Sequence, residues 1–218
     1  MKYKVAVFDL DGTLLDTIED LRDSMNSVLE GKGYPTHDSE AYKYFVGNGM
    51  RELARRALPE DKRSTDEIDS AVAAMSVNYS KGWAIKTAPY PGIDKLLNSL
   101  EEKGIKCAVL SNKPDALTKQ IIEKLLPDWS FYPLFGERQA MGVPKKPDPA
   151  GALEIAQLLN VQPNECLYLG DTGVDMKTAN AAGMYPVGVL WGFRKADELL
   201  ENGAKKLISD PQELLNLL

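Results

Sequence analysis

Cysteine and histidine are scarce in this chain of 218 residues, which has two cysteines and one histidine. The 32 acidic residues outnumber the 26 lysines and arginines, and the formal net charge of -6 disfavours binding to nucleic acid. Each of the two cysteines, Cys107 and Cys166, stands inside an apolar run, which favours buried side chains over a disulfide or a zinc pair.

Long apolar runs are also absent. None approaches the ~20 residues that a membrane-spanning helix needs, and no basic segment followed by an apolar leader precedes the first apolar run. We therefore expect a cytoplasmic protein, either a monomer or a homodimer, that binds neither a membrane nor nucleic acid.

From about residue 88 to the end, short apolar runs alternate with segments of helical spacing. Such alternation predicts a mostly parallel sheet with helices on both faces. The expected fold class is thus α/β, with a Rossmann-like core. The predicted strands lie at residues 5–8, 105–110, 132–135, 166–169 and 187–190.

The segment from Asp16 to Ala84 contains no strand-like run, and its apolar residues recur at helical spacing. Breaks at residues 31–35 and 59–64 divide it into three predicted helices. One strand cannot form a domain, so we interpret residues 16–87 as a small helical cap inserted after the first strand. Residues 1–15 and 88–218 would form a discontinuous catalytic core.

Polar residues stand at the ends of the predicted strands, where parallel sheets bind their ligands. The first strand runs into Asp9-Leu10-Asp11-Gly12, which places two carboxylates beside a turn. Further polar residues follow the later strands: Ser111, Asn112, Lys145, Lys146, Asp171 and Asp175.

Taken together, these residue types match the needs of phosphoryl transfer. A phosphate ester is a stable dianion, so a catalyst must neutralise its oxygens, align a nucleophile and protonate the departing oxygen. Asp9 can attack phosphorus and form an aspartyl-phosphate. Asp11 can give a proton to the leaving oxygen and then take one from the attacking water.

The remaining residues supply charge and metal ligands. Asp9 and Asp171 can hold Mg²⁺ together with the main-chain carbonyl of Asp11, and Asp175 can support this metal site. Lys146 can neutralise the transferring phosphoryl group. The hydroxyl of Ser111 and nearby backbone N–H groups can bind its oxygens.

These motifs resemble the four ordered motifs of the haloacid dehalogenase superfamily. They are Asp9-Leu10-Asp11-Gly12-Thr13-Leu14, Ser111 after a strand, Lys146 before Pro147, and Gly170-Asp171 with Asp175. Members that dehalogenate replace the second acid of the first motif, whereas Asp11 is present here. The resemblance therefore implies a phosphatase with a helical cap.

Within that superfamily the chain is most similar to the phosphoglycolate phosphatases. The similarity lies in Val46-Gly47-Asn48-Gly49, Pro91-Gly92, Ser111-Asn112-Lys113-Pro114 and Trp191-Gly192-Phe193. A small phosphorylated metabolite, 2-phosphoglycolate, is the expected substrate.

Four residues are candidate substrate-binding residues. Gly49 would let the backbone approach a ligand closely, and Arg51 could pair with a small carboxylate. The resemblance implies substrate contacts for Thr13 and Asn112.

Several alternatives remain open. A sugar-phosphate or pyrophosphate phosphatase would share many of these signals. A phosphotransferase similar to the β-phosphoglucomutases is disfavoured because those enzymes place a histidine early in the cap, where this chain has Leu21 and its neighbours. A phosphate-accepting domain similar to receiver domains is disfavoured because such domains lack a cap insertion of this size.

Overall fold

The computed structural model describes residues 2–218, and the chain divides into two compact units. The larger unit comprises the residues up to Leu15 together with Pro89–Leu218, and the smaller unit comprises Asp16–Ala88. Where the chain passes from one unit to the other, β2 (Leu15–Asp16) and β3 (Ala88–Pro89) form a two-stranded sheet.

A six-stranded sheet forms the centre of the larger unit. Its strands are β1 (Val5–Phe8), β4 (Lys106–Pro114), β5 (Phe131–Glu137), β6 (Cys166–Gly170), β7 (Tyr185–Val189) and β8 (Lys206–Ile208). They lie in the order β5-β4-β1-β6-β7-β8, and every pairing is parallel. The predicted α/β fold with a parallel sheet is confirmed.

Helices flank this sheet because the connections between parallel strands must cross over its faces. They are α5 (Ile93–Glu102), α6 (Asp115–Leu125), α7 (Ala150–Leu158), α8 (Gly173–Ala182) and α9 (Ala196–Glu201). Val5 and Val7 of β1 are fully buried and pack with Ile155 of α7 and Ala179 of α8. Burial of β1 on both faces explains its unbroken apolar sequence.

Two details at the C-terminal end differ from the prediction. Strand β8 and helix α9 were not predicted, because β8 has three residues and begins with a lysine, which leaves no clear period. The segment Pro211–Leu217 forms a 3₁₀-helix rather than the predicted α-helix. Short stretches of these two helix types place apolar residues at similar spacing.

The smaller unit is helical, as its sequence predicts, but the second predicted helix is divided in two. Its helices are α1 (Ile18–Gly31), α2 (Ser39–Phe45), α3 (Met50–Ala57) and α4 (Thr65–Gly82). Gly47 and Gly49 have φ values of 112° and 88°, which residues other than glycine rarely adopt. These two glycines interrupt the helix between α2 and α3.

Among the helices of residues 2–218, none combines the length and the apolar character that a membrane-spanning helix needs.

Candidate active site

Strand order brings distant residues to one edge of the larger unit's sheet. Strand β1 lies between β4 and β6, and Phe8 pairs with both Val109 and Leu169. Asp9 follows β1, and its backbone N–H donates to the carbonyl of Leu169 at 2.9 Å. Ser111 and Asp171 each lie two residues beyond a partner of Phe8. The carboxyl ends of the three strands thus converge.

Three acids meet at this edge. Carboxylate oxygens of Asp9, Asp171 and Asp175 all lie within 4.8 Å of one another. All three side chains are buried. Clustered carboxylates of this kind are typical ligands for a hard divalent cation, because Mg²⁺ and Ca²⁺ prefer oxygen donors. The donor set therefore fits a divalent metal.

Lys146 places a buried ammonium group against two of these acids. Its Nζ lies 2.8 Å from Oδ1 of Asp9 and 2.7 Å from Oδ1 of Asp175. Burial alone would lower the pKa of Lys146, but the carboxylates of Asp175 and Asp9 outweigh that effect and hold its pKa well above the usual value. Lys146 therefore stays positively charged.

Asn112 fixes the backbone of Lys146. Its side-chain amide donates to the Lys146 carbonyl at 3.1 Å, and its side-chain oxygen accepts from the Lys146 N–H at 2.9 Å. The end of β4 and the loop that precedes α7 are thereby joined beside the acid cluster.

One positive charge does not balance the cluster. Burial, and then the nearby carboxylate of Asp175, raise the pKa of Asp9 to about 7, although Lys146 opposes the shift. Burial, followed by the charges of Asp175 and Asp9, also raises the pKa of Asp171 well above its usual value. Both shifts reflect excess negative charge in a desolvated place, which a divalent cation would relieve.

Asp175 is positioned by the start of α8. Thr172 caps this helix, and the two residues form a capping box in which each side chain bonds to the other's backbone N–H. The Thr172 hydroxyl donates to Oδ2 of Asp175 at 2.6 Å, which leaves Oδ1 for Lys146. Helix geometry thus orients this carboxylate.

Asp11 lies beside the cluster with a cationic partner of its own. Lys113 Nζ lies 2.8 Å and 3.1 Å from the two carboxylate oxygens of Asp11, and the lysine side chain is only 3% exposed. Gly12 follows with a φ of 84°, and its N–H donates to the Leu15 carbonyl at 2.9 Å. The positive φ of Gly12 thus begins a tight turn directly after Asp11.

Asp171 is held through both of its oxygens. The Thr13 hydroxyl lies 3.4 Å from Oδ1, and the Phe193 N–H donates to Oδ2 at 2.8 Å. The carboxylate is therefore oriented by the turn after β1 and by the loop after β7.

The family model described as haloacid dehalogenase-like hydrolase matches residues 6–189. The chain belongs to the haloacid dehalogenase-like hydrolases. The predicted membership is confirmed.

Relatives of this hydrolase match it along nearly its whole length. A phosphoglycolate phosphatase of Psychrobacter arcticus is 30% identical and covers 100% of this chain and 96% of its own. A phosphoglycolate phosphatase of Aquifex aeolicus is 29% identical, and the match covers 99% of this chain and 96% of the relative. The solved structure of a candidate phosphoglycolate phosphatase from Lactobacillus delbrueckii subsp. bulgaricus is 32% identical, with a TM-score of 0.91 and 100% and 98% covered.

The other predicted site residues of this hydrolase lie in both of its units. Ser111 is buried within β4, three residues before the strand ends, and its hydroxyl accepts from the Lys113 N–H at 3.3 Å. Gly49 and Arg51 belong to the smaller unit, where Gly49 caps α3 and the guanidinium of Arg51 pairs with Asp69. The substrate contacts predicted for Thr13, Asn112, Gly49 and Arg51 stay predictions.

Three residues that hold the acids of the candidate site in place were not predicted from the sequence as site residues. Lys113 was recognised only as part of a motif, although a lysine directly after a buried strand and Ser111-Asn112 is itself a usable signal. Thr172 was also missed, although its spacing from the predicted Asp175 is that of a capping box, a pattern visible in the sequence. The bond from Phe193 uses the backbone, so no residue type could have indicated it.

Proposed function

We propose that this chain is a Mg²⁺-dependent phosphomonoester hydrolase that works through an aspartyl-phosphate intermediate. The observation that carries the proposal is the cluster of Asp9, Asp171 and Asp175, in which the ammonium group of Lys146 pairs with Asp9 and Asp175. A nucleophilic carboxylate, metal ligands and a fixed positive charge are the components that phosphoryl transfer needs.

Asp9 is the proposed nucleophile. Its Oδ1 accepts the Leu10 N–H at 2.7 Å and pairs with Lys146. Among the described residues none donates a hydrogen bond to Oδ2, so that oxygen can approach phosphorus. Attack forms an oxygen–phosphorus bond to Asp9 as the bond from phosphorus to the leaving alkoxide breaks.

Asp11 is the proposed general acid and base. It donates a proton to the leaving alkoxide in the first step and takes one from water in the second, which releases phosphate and restores Asp9. It lies two residues beyond Asp9, after β1 and before the turn at Gly12, and therefore in the same short segment as the nucleophile.

Charge stabilisation falls to Lys146, Ser111 and the metal. A bound Mg²⁺ would be held by Asp9, Asp171 and the carbonyl of Asp11, with Asp175 in support, and would neutralise phosphoryl oxygens. Lys146 contributes a buried point charge that burial keeps unscreened by solvent. The Ser111 hydroxyl can donate to a phosphoryl oxygen.

The proposed substrate is 2-phosphoglycolate. Curated relatives named phosphoglycolate phosphatases match 97–100% of this chain at about 30% identity. Gly49 and Arg51 of the smaller unit, with Thr13 and Asn112, are the proposed substrate-binding residues. A cytoplasmic location and a monomeric or homodimeric state belong to the same proposal.

The test is a screen of phosphate release with Mg²⁺ over 2-phosphoglycolate, sugar phosphates, pyrophosphate and nucleoside monophosphates. We expect 2-phosphoglycolate to give the highest kcat/KM. Replacing the nucleophile in Asp9→Asn should lower kcat by at least about a thousandfold, because an amide is a poor nucleophile and a poor metal ligand. Asp128→Asn, a change at an exposed acid, is the matched control.

The outcomes separate the alternatives. If inorganic phosphate is released from sugar phosphates alone, the proposed substrate is wrong but the proposed hydrolysis stands. A rearranged sugar phosphate without inorganic phosphate would indicate a phosphotransferase. No release from any ester, or equal activity in Asp9→Asn and the unmodified protein, would reject the proposed function.

A further inference from the structure

The loop that follows β7 bonds both to Asp171 of the acid cluster and to the turn after β1. We define residues 191–193, Trp191-Gly192-Phe193, as the 191–193 segment. Its backbone already contributes the Phe193 N–H that binds Oδ2 of Asp171 at 2.8 Å. The phenyl ring of Phe193 is buried, whereas Trp191 and Gly192 are half-buried.

Trp191 connects this segment to the turn after β1. Its indole N–H donates to the carbonyl of Thr13 at 3.0 Å, across 178 positions of sequence. Thr13 is fully buried, and its hydroxyl faces Oδ1 of Asp171 at 3.4 Å. The indole therefore holds the residue that in turn contacts the other oxygen of Asp171.

Gly192 allows the segment to lie directly against both partners. A Cβ atom added to Gly192 would collide with the carbonyl oxygen of Gly12 and with Cβ of Asp171. A Cβ atom added to Gly12 would collide with Oδ2 of Asp171 and approach the Phe193 ring. Gly12 and Gly192 thus lie against the side chain of Asp171 with no room for a side chain of their own.

The geometry points to Trp191 as a positioning residue for the metal site of the proposed phosphatase, acting through the Thr13 carbonyl. The 191–193 segment holds both the turn that carries Asp11 and the carboxylate of Asp171. Groups that orient metal ligands commonly change metal affinity by ten- to a hundredfold when removed. This inference rests on the proposed function only in that Mg²⁺ is the metal tested.

The decisive variant is Trp191→Phe, which keeps an aromatic ring and removes the N–H donor. Trp129→Phe is the matched control, because the Trp129 indole also makes one hydrogen bond, to Asn98 at 2.8 Å, but contacts none of the acids. We expect the Kd for Mg²⁺, measured by isothermal titration calorimetry, to rise about three- to tenfold in Trp191→Phe, as loss of one part-buried hydrogen bond predicts. Trp129→Phe should leave it within about twofold of the unmodified protein, since no metal ligand is touched.

Activity separates positioning from catalysis. At saturating Mg²⁺, Trp191→Phe should retain most of its kcat, and the Mg²⁺ concentration giving half-maximal activity should rise by the same factor as the Kd. Gly192→Ala, which forces a methyl group against Asp171, should weaken Mg²⁺ binding by more than about tenfold. Equal Mg²⁺ affinities in Trp191→Phe, Trp129→Phe and the unmodified protein would overturn the inference.

A measurement on the unmodified protein covers the case in which Trp191→Phe does not fold. The three tryptophans give three indole N–H signals in protein labelled with ¹⁵N-tryptophan, and Trp83→Phe and Trp129→Phe assign them by elimination. We expect the Trp191 signal to shift on addition of Mg²⁺ and the Trp129 signal to stay fixed. An unmoved Trp191 signal under saturating Mg²⁺ would overturn the inference.

The two proposals fail differently. A protein that binds Mg²⁺ and loses affinity in Trp191→Phe, yet releases no phosphate from any ester, would support the positioning role and reject the phosphatase. If the protein releases phosphate and Trp191→Phe binds Mg²⁺ normally, the phosphatase is supported and the positioning role of Trp191 is rejected. A protein that does not bind Mg²⁺ at all would reject both.

Discussion

Lys146 has a neighbour of the same type but a different environment. Lys146 is 2% exposed and pairs with two acids, whereas Lys145 is half-buried in the preceding loop position. Removing one member of a buried ion pair leaves the other charge uncompensated, which costs more than the pair itself contributes. The two lysines therefore provide a comparison within one dipeptide.

We predict that Lys146→Met lowers kcat by at least about a hundredfold, because the transition state loses a fixed positive charge in a site of low dielectric. Lys145→Met should keep kcat within about threefold, since its charge is not part of the acid cluster. Steady-state phosphate release from the preferred ester measures both. Similar kcat values for the two variants would contradict the role assigned to Lys146.

Asp11 can be separated from metal binding by a conservative change. Asp11→Asn keeps the main-chain carbonyl proposed as a metal ligand and an oxygen that can still accept from Lys113, but it removes the proton-transferring carboxyl group. We predict a Mg²⁺ Kd within about threefold of the unmodified value and a kcat lowered by about 10² to 10⁴, the usual contribution of general acid–base catalysis. Isothermal titration calorimetry measures the Kd for Mg²⁺, and steady-state kinetics measure kcat. A near-normal kcat would remove Asp11 from the proton-transfer role.

Among the elements, α1 shows how a helix start can hold a distant segment. Asp20, in the first turn of α1, is 3% exposed. Its carboxylate accepts from the N–H of Lys86 at 3.0 Å, and from the N–H and hydroxyl of Thr87, each at 2.8 Å. One side chain thereby fixes the segment that follows α4 to the start of the smaller unit.

We predict that Asp20→Ala lowers the free energy of unfolding by about 3 kcal/mol, because buried N–H donors lose a charged acceptor. The control is Asp23→Ala, which breaks partly exposed pairs with Arg22 and Lys86 and should cost less than about 1 kcal/mol. Urea unfolding followed by circular dichroism compares them. Equal losses would show that the Asp20 contacts are not structurally important.

The elements that carry the site were largely predictable, and their ends were less so. The apolar run of β1 and the Asp-x-Asp-Gly pattern mark a strand and its turn by local chemistry alone. The separation of α2 from α3 was missed because the backbone angles of Gly47 and Gly49, rather than the apolar period, decide it. Strand β8 was missed because three residues contain too little pattern.

For the molecule as a whole, the buried acids make metal binding and stability interdependent. A cation that binds only the folded state stabilises it by mass action. We predict that EDTA abolishes phosphate release, that added Mg²⁺ restores it, and that Tm rises with Mg²⁺ concentration. Asp171→Ala should lose the Mg²⁺-dependent rise in Tm, which differential scanning calorimetry can measure, whereas the exposed control Asp128→Ala should keep it. A Tm that does not respond to Mg²⁺ would argue against a metal site here.

The fold class, the family and the residue types at the strand ends all follow from the amino-acid sequence alone. Strand burial, glycine turns and the order of the four motifs are local properties, so they can be read without coordinates. The pairing of Asp11 with Lys113 and the hold of the 191–193 segment on Thr13 join residues 102 and 178 positions apart. These contacts arise only when the chain folds, because they depend on the strand order β4-β1-β6-β7, and no local pattern encodes that order.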